Sequence, residues 1–529
     1  MLMNSATLRR ATSISALTSV LLWIVLLLGI FIVGALTALA PDLMVRLAPL
    51  IVIPVFVVVA AFRSNRSDLG PRFMRGWAML LACMLSLWPT YLSLKIGSAP
   101  SLDGRKLMML AALVIFVYLV VNRPAIRQAL FFHRDSGTHL VGFIILAYIV
   151  LRYVSLHGAA FPVHAFLMLS WELVYYYFLY YFAIACLRHP DCPATLQSAF
   201  FWAMLLMAIL VVLEKVQGVN YLTLYVPMGG DVGAMQALSR LRDGVLRAQG
   251  TFEHPITLAE YASMVSGFSL AALLWARRMR GRLFALLVLM TSLAVNLASA
   301  SRSGLVCAGA AMLLVFVLWM YRARKVQSLA GLFGRQVLVI GTLVGAVVLA
   351  APVVWLLTQG RSTNEKLSSL ARSEMLDRGV PSVIDNPFIG TGFGTAGQIA
   401  GHVGNGGLLT LDNHYLGIAI ESGVPAVLLF TLSLLIPLLR AVHAVLSRPS
   451  PHAAFLAGAA GALALLLIIR GTMWLSTNLA IGYLLAGLVM VFSRPGLSWA
   501  AEAVSTDKDR TAPGPHQASQ AASRGMLRA

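Results

Sequence analysis

The sequence predicts an all-α integral membrane protein, a polytopic helical bundle of about 12–14 transmembrane helices with two long external loops. Three observations predict it. Of 529 residues, 59% are hydrophobic and only 11% charged, less than half the roughly 25% charge of a soluble domain. Mean hydropathy is +0.82. Apolar runs recur along almost the whole chain, each about 20 residues long, which is what a bilayer core of roughly 30 Å demands of a helix. Backbone groups in lipid must be satisfied within the protein, and runs of this length satisfy them as helices rather than as a barrel.

Taken in order, helices are expected near 14–39, 43–62, 76–95, 107–122, 138–156, 163–187, 196–214, 256–276, 283–299, 303–321, 336–358, 413–439, 453–470 and 473–493. The first run is longer than the apolar stretch of a cleaved signal. Ala38-Leu39-Ala40 mimics a cleavage site, but Pro41 behind it disfavours the cut, so a retained anchor is expected. These helices make one transmembrane domain over 1–496. The Ala/Ser/Pro-rich stretch 497–529 has no apolar period and is expected to be a disordered cytoplasmic tail. Cys83, Cys186, Cys192 and Cys307 have no metal-ligand spacing, and no structural disulfide is expected.

The net charge of +20 sorts by side. With the N-terminus inside, alternate connections and both termini carry 25 Lys/Arg against 6 Asp/Glu, and the rest of the chain carries 15 against 14. This asymmetry sets orientation by the positive-inside rule. It places both termini in the cytoplasm and explains the basic balance without a nucleic-acid partner. No internal repeat or inverted symmetry suggests a transporter.

Two long loops then fall outside, about 215–255 and 359–412. Loops of such length are usually functional or disordered. They hold Arg240, Arg242, Arg247, Arg361, Arg372 and Arg378, while Arg302 sits in Ser301-Arg302-Ser303-Gly304 and Arg470 closes a helix. Guanidinium presents a planar fork of donors that matches phosphate oxygens in pairs. Several converging at one face would suit an anionic, membrane-tethered head group. The plainer alternative is that each snorkels or pairs with a nearby acid such as Asp243, Glu365 or Asp377. Within the membrane, Glu172 stands before Tyr175, Tyr176 and Tyr177. An intramembrane acid is a functional candidate, with a structural arginine partner as the alternative, and the tyrosines suit lipid contact or packing better than sugar stacking.

Four motifs occur in order. Arg247-Ala-Gln-Gly250-Thr-Phe252-Glu253-His254-Pro255 leads into a helix, and Ser301-Arg302-Ser303-Gly304 follows. Arg372 precedes Pro387 and Gly390-Thr-Gly392-Phe-Gly394. Last comes Asp412-Asn413-His414-Tyr415-Leu416 with Glu421 and Gly423 behind it. This order resembles the signature of the O-antigen ligase/polymerase superfamily of bacterial envelope proteins. The resemblance covers about the second half of the chain, with the Arg470…Ser476…Asn478 segment also similar.

The resemblance implies a GT-C-like inner-membrane enzyme with a periplasmic site, acting as a metal-independent inverting glycosyltransferase without cofactor. Its donor would be an undecaprenyl-pyrophosphate-linked glycan. Membrane lipids would surround it, and a chain-length regulator and a flippase would be its protein partners. Charge builds on phosphate oxygens as the glycosidic bond breaks, and preorganised cations stabilise it. Arg247, Arg302, Arg372 and Arg378 are candidates, with Arg470 behind them. No external acidic cluster offers a divalent metal a cage. The family's His-Asn pair falls on Asp412-Asn413, which leaves the base open between Asp412 and His414 and favours polymerase over ligase. An N-cap is the structural alternative for Asp412. Gly392 and Gly394, with Gly390, would permit close approach of backbone to substrate or serve a turn. Glu253 and His254 fit capping as well as catalysis. A ligase moving finished glycan to lipid A core or protein, and a transporter, are the rival readings. Charges clustered at one face argue against the transporter.

Overall fold

The computed structural model describes residues 70–89, 91–94, 102–123, 126–127, 130, 136–222, 240–242, 245–323, 363–403, 409–447, 450–474 and 476–494. The helices expected at 14–39, 43–62 and 336–358 and the tail from 497 lie outside them. Each of the other eleven expected helices has a counterpart. In order these are α1 Pro71–Leu87, α2 Gly104–Asn122, α3 Ser136–Val154, α4 Pro162–Glu172 continuing through a π-helical turn Leu173–Tyr177 into α5 Phe178–Cys186, α6 Cys192–Gln217, α7 Pro255–Trp275, α8 Met279–Ala298 and α9 Arg302–Ala323. After the second long loop follow α12 His414–Ser447, α13 Ala453–Ile469 and α14 Leu479–Phe492. Seven helices among the described residues are long and apolar enough to cross a membrane, and the chain is an all-α polytopic membrane protein.

Helix α7 is the centre. Of its apolar window 78% is buried, against 33–44% for the other six spanning candidates, so protein rather than lipid surrounds it. It packs against α8, α9 and α13. Small residues let the backbones approach, as is usual where lipid gives no hydrophobic drive to helix pairing. A Cβ at Gly304 would strike Ala259, one at Gly458 would strike the Phe268 ring, and Gly461 lies over the Ala311 carbonyl. Ser263 Oγ donates to Gly304 O at 2.8 Å and accepts from Asn296 Nδ2 at 2.7 Å, a polar link between α7, α8 and α9 inside the bundle.

The connections gather at two ends. At one, Tyr91 Oη donates to Gly250 O at 2.6 Å, Phe393 N to Ser155 O at 3.2 Å and His414 N to Arg470 O at 2.9 Å. At the other, Arg75 pairs with Asp191 at 3.2 Å and Arg440 and Arg494 reach Ser493 and Thr138. The first end holds the motif-bearing connections. The second holds arginines from connections expected to be cytoplasmic.

The second long loop is built rather than open. It contains α10 Thr363–Asp385, α11 Ala396–Ala400 and a short hairpin pairing His402–Val403 with Leu409–Thr410. Ala371, Met375 and Gly379 recur at i, i+4, i+8 on the buried face of α10, and Met375 and Gly379 seat that helix on Leu416 and Ile420 of α12. In the first loop, Arg240–Arg242 pairs with Val245–Arg247.

Candidate functional site

The glycine loop is a clasp. Gly390, Gly392 and Gly394 all have positive φ, which only glycine adopts without strain. Thr391 N donates to Ile420 O at 2.7 Å, Gly392 N to Glu421 O at 3.2 Å and Val424 N to Pro387 O at 2.8 Å. These carbonyls lie at the break in α12, where Gly423 has φ 82° and ψ 173°. A Cβ on Gly423 would strike the Phe388 carbonyl, and one on Gly392 would strike the backbone of Gly158. The close approach at Gly392 is to the backbone of Gly158. At Gly394 a Cβ would meet open space, while its N–H donates to Glu421 Oε1 at 3.0 Å.

Beneath the clasp lies a buried ion cluster. Arg152 Nη1 meets Glu421 Oε2 at 2.6 Å and Arg152 Nη2 meets Glu172 Oε2 at 3.5 Å. The Phe393 ring covers the guanidinium at 4.5 Å. Ser155 and Ser422 complete the network at 3.0 Å. The structural partner foreseen for Glu172 is thus Arg152. The π-turn tyrosines face inward: Tyr176 Oη bonds Ser476 Oγ at 2.8 Å, and Tyr177 packs edge-on against Tyr148 and Tyr483.

Above the clasp, the fourth motif separates its residues. Asn413 Oδ1 accepts from Leu416 N at 3.0 Å and is the N-cap of α12, so Asp412 is not. Asp412 instead meets Arg372 at 3.2 Å, with both side chains 41% exposed. Arg372 Nε has no partner among the described residues. His414 turns the other way, buried between Phe430 and Trp474 with each ring centroid 5.1 Å away. Arg378 lies six residues further along α10 than Arg372, held by Glu374 at 3.3 Å, and His402 reaches the same Glu374 at 3.6 Å.

A second group surrounds the turn between α8 and α9. Arg247 Nε donates to Ser299 O at 3.2 Å, and Arg302 begins α9 three residues on. Both are half-buried. Ser301 Oγ caps α9 through Gly304 N. The rest of the first motif is accounted for by folding. Glu214 accepts from Gln249 and Gly250 N–H groups, Phe252 is core, His254 Nδ1 caps Ile256 N, and Pro255 opens α7. Burial pushes the Tyr91 hydroxyl up, which keeps it a donor to Gly250 O.

Arg470 lies inside the bundle. It is fully buried at the end of α13, where it pairs with Glu260, itself held by Asn478 Nδ2 at 2.9 Å. One carboxylate inside the bundle draws it away from the face. Thr477 donates to Glu253 across the same region. The sequence reading missed Arg152, Glu260 and His402. For the first two a signal existed, since an ionisable residue inside an apolar run implies a buried partner.

The arrangement offers half-buried or exposed guanidinium groups at one end (Arg247, Arg302, Arg372, Arg378) and accessible carboxylates, Asp412 on Arg372 and Glu374 on Arg378, with buried pairs as their footing. It suits an anionic ligand with a proton to give up. Among curated proteins no relative matches the chain. The O-antigen ligase family model matches residues 285–431, a stretch that holds Arg302, the α10 arginines, the glycine clasp and the Asp412–Gly423 motif. Over these residues the chain is similar to the O-antigen ligase family.

Proposed function

We propose that the chain polymerises lipid-linked oligosaccharide repeat units into O-antigen, capsule or exopolysaccharide at the periplasmic face of the inner membrane. The family is a class of ligases and polymerases whose substrates are lipid-linked glycans. The observation that carries the reading is the exposed Arg372–Asp412 pair, left accessible because Asn413 does the capping.

In the proposed reaction an acceptor hydroxyl oxygen attacks the anomeric carbon of the donor, with inversion. The bond to undecaprenyl pyrophosphate breaks, its electron pair goes to the phosphate oxygen, and Asp412 takes the hydroxyl proton. Arg372 and Arg378, with Arg247 and Arg302, stabilise the charge that develops. An exposed pair is worth only about 0–1 kcal/mol, so an incoming pyrophosphate can draw Arg372 from Asp412 and free the carboxylate for the proton. His414 and Arg470 are positioning residues, since both are buried and His414 N is tied to Arg470 O. The Asp412-Asn413 form supports polymerase over ligase.

Deletion of the gene followed by gel analysis of lipid-linked and surface glycans tests this. Single repeat units accumulating without long chains are expected. Long chains stranded on the carrier would mean a ligase, and an unchanged profile would mean neither. Arg372→Ala and Arg302→Ala are each expected to reproduce the deletion at normal membrane levels.

A further inference from the structure

Three arginines of the described bundle are almost wholly removed from solvent: Arg105, Arg152 and Arg470. Two have carboxylate partners, Arg152 with Glu421 and Glu172, and Arg470 with Glu260. Arg105, 0% exposed, has none among the described residues. Its Nε donates to Trp88 O at 2.8 Å and its guanidinium lies 5.1 Å from the centre of the Phe252 ring. Neither Nη1 nor Nη2 has a hydrogen-bond partner among those residues. A buried cation without counter-charge is costly and calls for an anion.

The surroundings suit one. Arg105 is in the first turn of the 19-residue helix α2, whose free N–H groups favour negative charge. Lys106 follows it, with Nζ 6.0 Å from the centre of the Trp171 ring. Asp103, two residues before it, is already engaged, accepting from Lys106 N at 2.9 Å and meeting Lys106 Nζ at 3.5 Å. Tyr175 of the π-turn lies beside the guanidinium. Phe252 belongs to the first motif, so this place adjoins the proposed site through that motif.

We propose that Arg105, with Lys106 and the start of α2, binds a lipid-borne phosphate group, the diphosphate of a second lipid-linked saccharide. The source rests on the polymerase reading, because joining two such molecules brings two diphosphates to one enzyme. The anion site itself does not.

Equilibrium dialysis of the full-length protein in detergent against radiolabelled inorganic pyrophosphate tests the site. Arg105→Gln is expected to weaken binding at least about tenfold, because a charge-assisted fork is lost. Arg105→Lys should weaken it less, and Arg372→Ala/Arg378→Ala should retain the Arg105-dependent part. Wild-type binding by a monodisperse Arg105→Gln protein overturns the proposal. If that variant does not fold, pyrophosphate must still raise the melting temperature of Arg372→Ala/Arg378→Ala, and raise that of Arg105→Lys by less. Equal shifts, or none, overturn it. Competition then assigns the source: displacement by farnesyl diphosphate supports a prenyl diphosphate, and displacement only by phosphatidylglycerol overturns that assignment in favour of bulk lipid. Arg105-dependent binding in a protein whose deletion leaves glycans unchanged would keep the site and remove the polymerase.

Discussion

Arg152 and Glu421 meet at 2.6 Å with 3% of each side chain exposed, whereas Arg372 and Asp412 meet at 3.2 Å with 41% of each exposed. Both pairs join the α12 segment to another part of the chain near the same end of the bundle. The buried pair cannot be traded, since separating it would leave a charge without solvent. The exposed pair can, because water replaces either partner at little cost. The clasp fastens to the first pair through Gly394 N and Phe393, and the proposed chemistry uses the second. One is footing and the other is exchangeable, although the residue types are nearly the same.

The sharpest way to break this contrast is Arg152→Ala. It leaves Glu421 buried without its cation and should cost about 3–5 kcal/mol, read as a large fall in thermal midpoint in detergent. Gly392→Ala should come next, at about 1–3 kcal/mol for a residue forced into positive φ. Its Cβ would also push against Gly158, so faster proteolysis within 386–401 is expected. Asn413→Ala removes the α12 cap and should lower stability by about 1 kcal/mol, measured the same way. Arg372→Ala should be the mildest, within about 1 kcal/mol of wild type, while glycan assembly is lost. An Arg372→Ala protein that melts as low as Arg152→Ala would erase the distinction between the pairs.

Much of this fold is legible in the chain as written. The runs 107–122, 196–214 and 256–276 each announce a helix because apolar length is a local property. Where local pattern and tertiary demand diverge, the reading slips. The last helix begins at Leu479 rather than near 473, since Asn478 is drawn to the α7 carboxylate Glu260 and the Thr257 carbonyl. The run near 163–187 is continuous in hydropathy, yet it contains a π-helical turn at Leu173–Tyr177 that no composition signals. For the site, the Arg372 and Asp412 blocks are visible as motifs. Their glycines read equally as substrate approach or as turn until Gly158 is seen against Gly392.

What the sequence determined by itself is the membrane class, the helix order and the sorting of arginines between the connections. Hydropathy and charge sum along the chain, and the bilayer reads them segment by segment. Only the tertiary structure decided which charges are neutralised inside and which stay available. Arg152 and Glu421 stand 269 residues apart in the chain and meet at 2.6 Å. Arg105 and Arg470 are both buried, yet only Arg470 meets a carboxylate among the described residues. An ion pair depends on separation in space and on excluded water, and neither quantity is written along a chain.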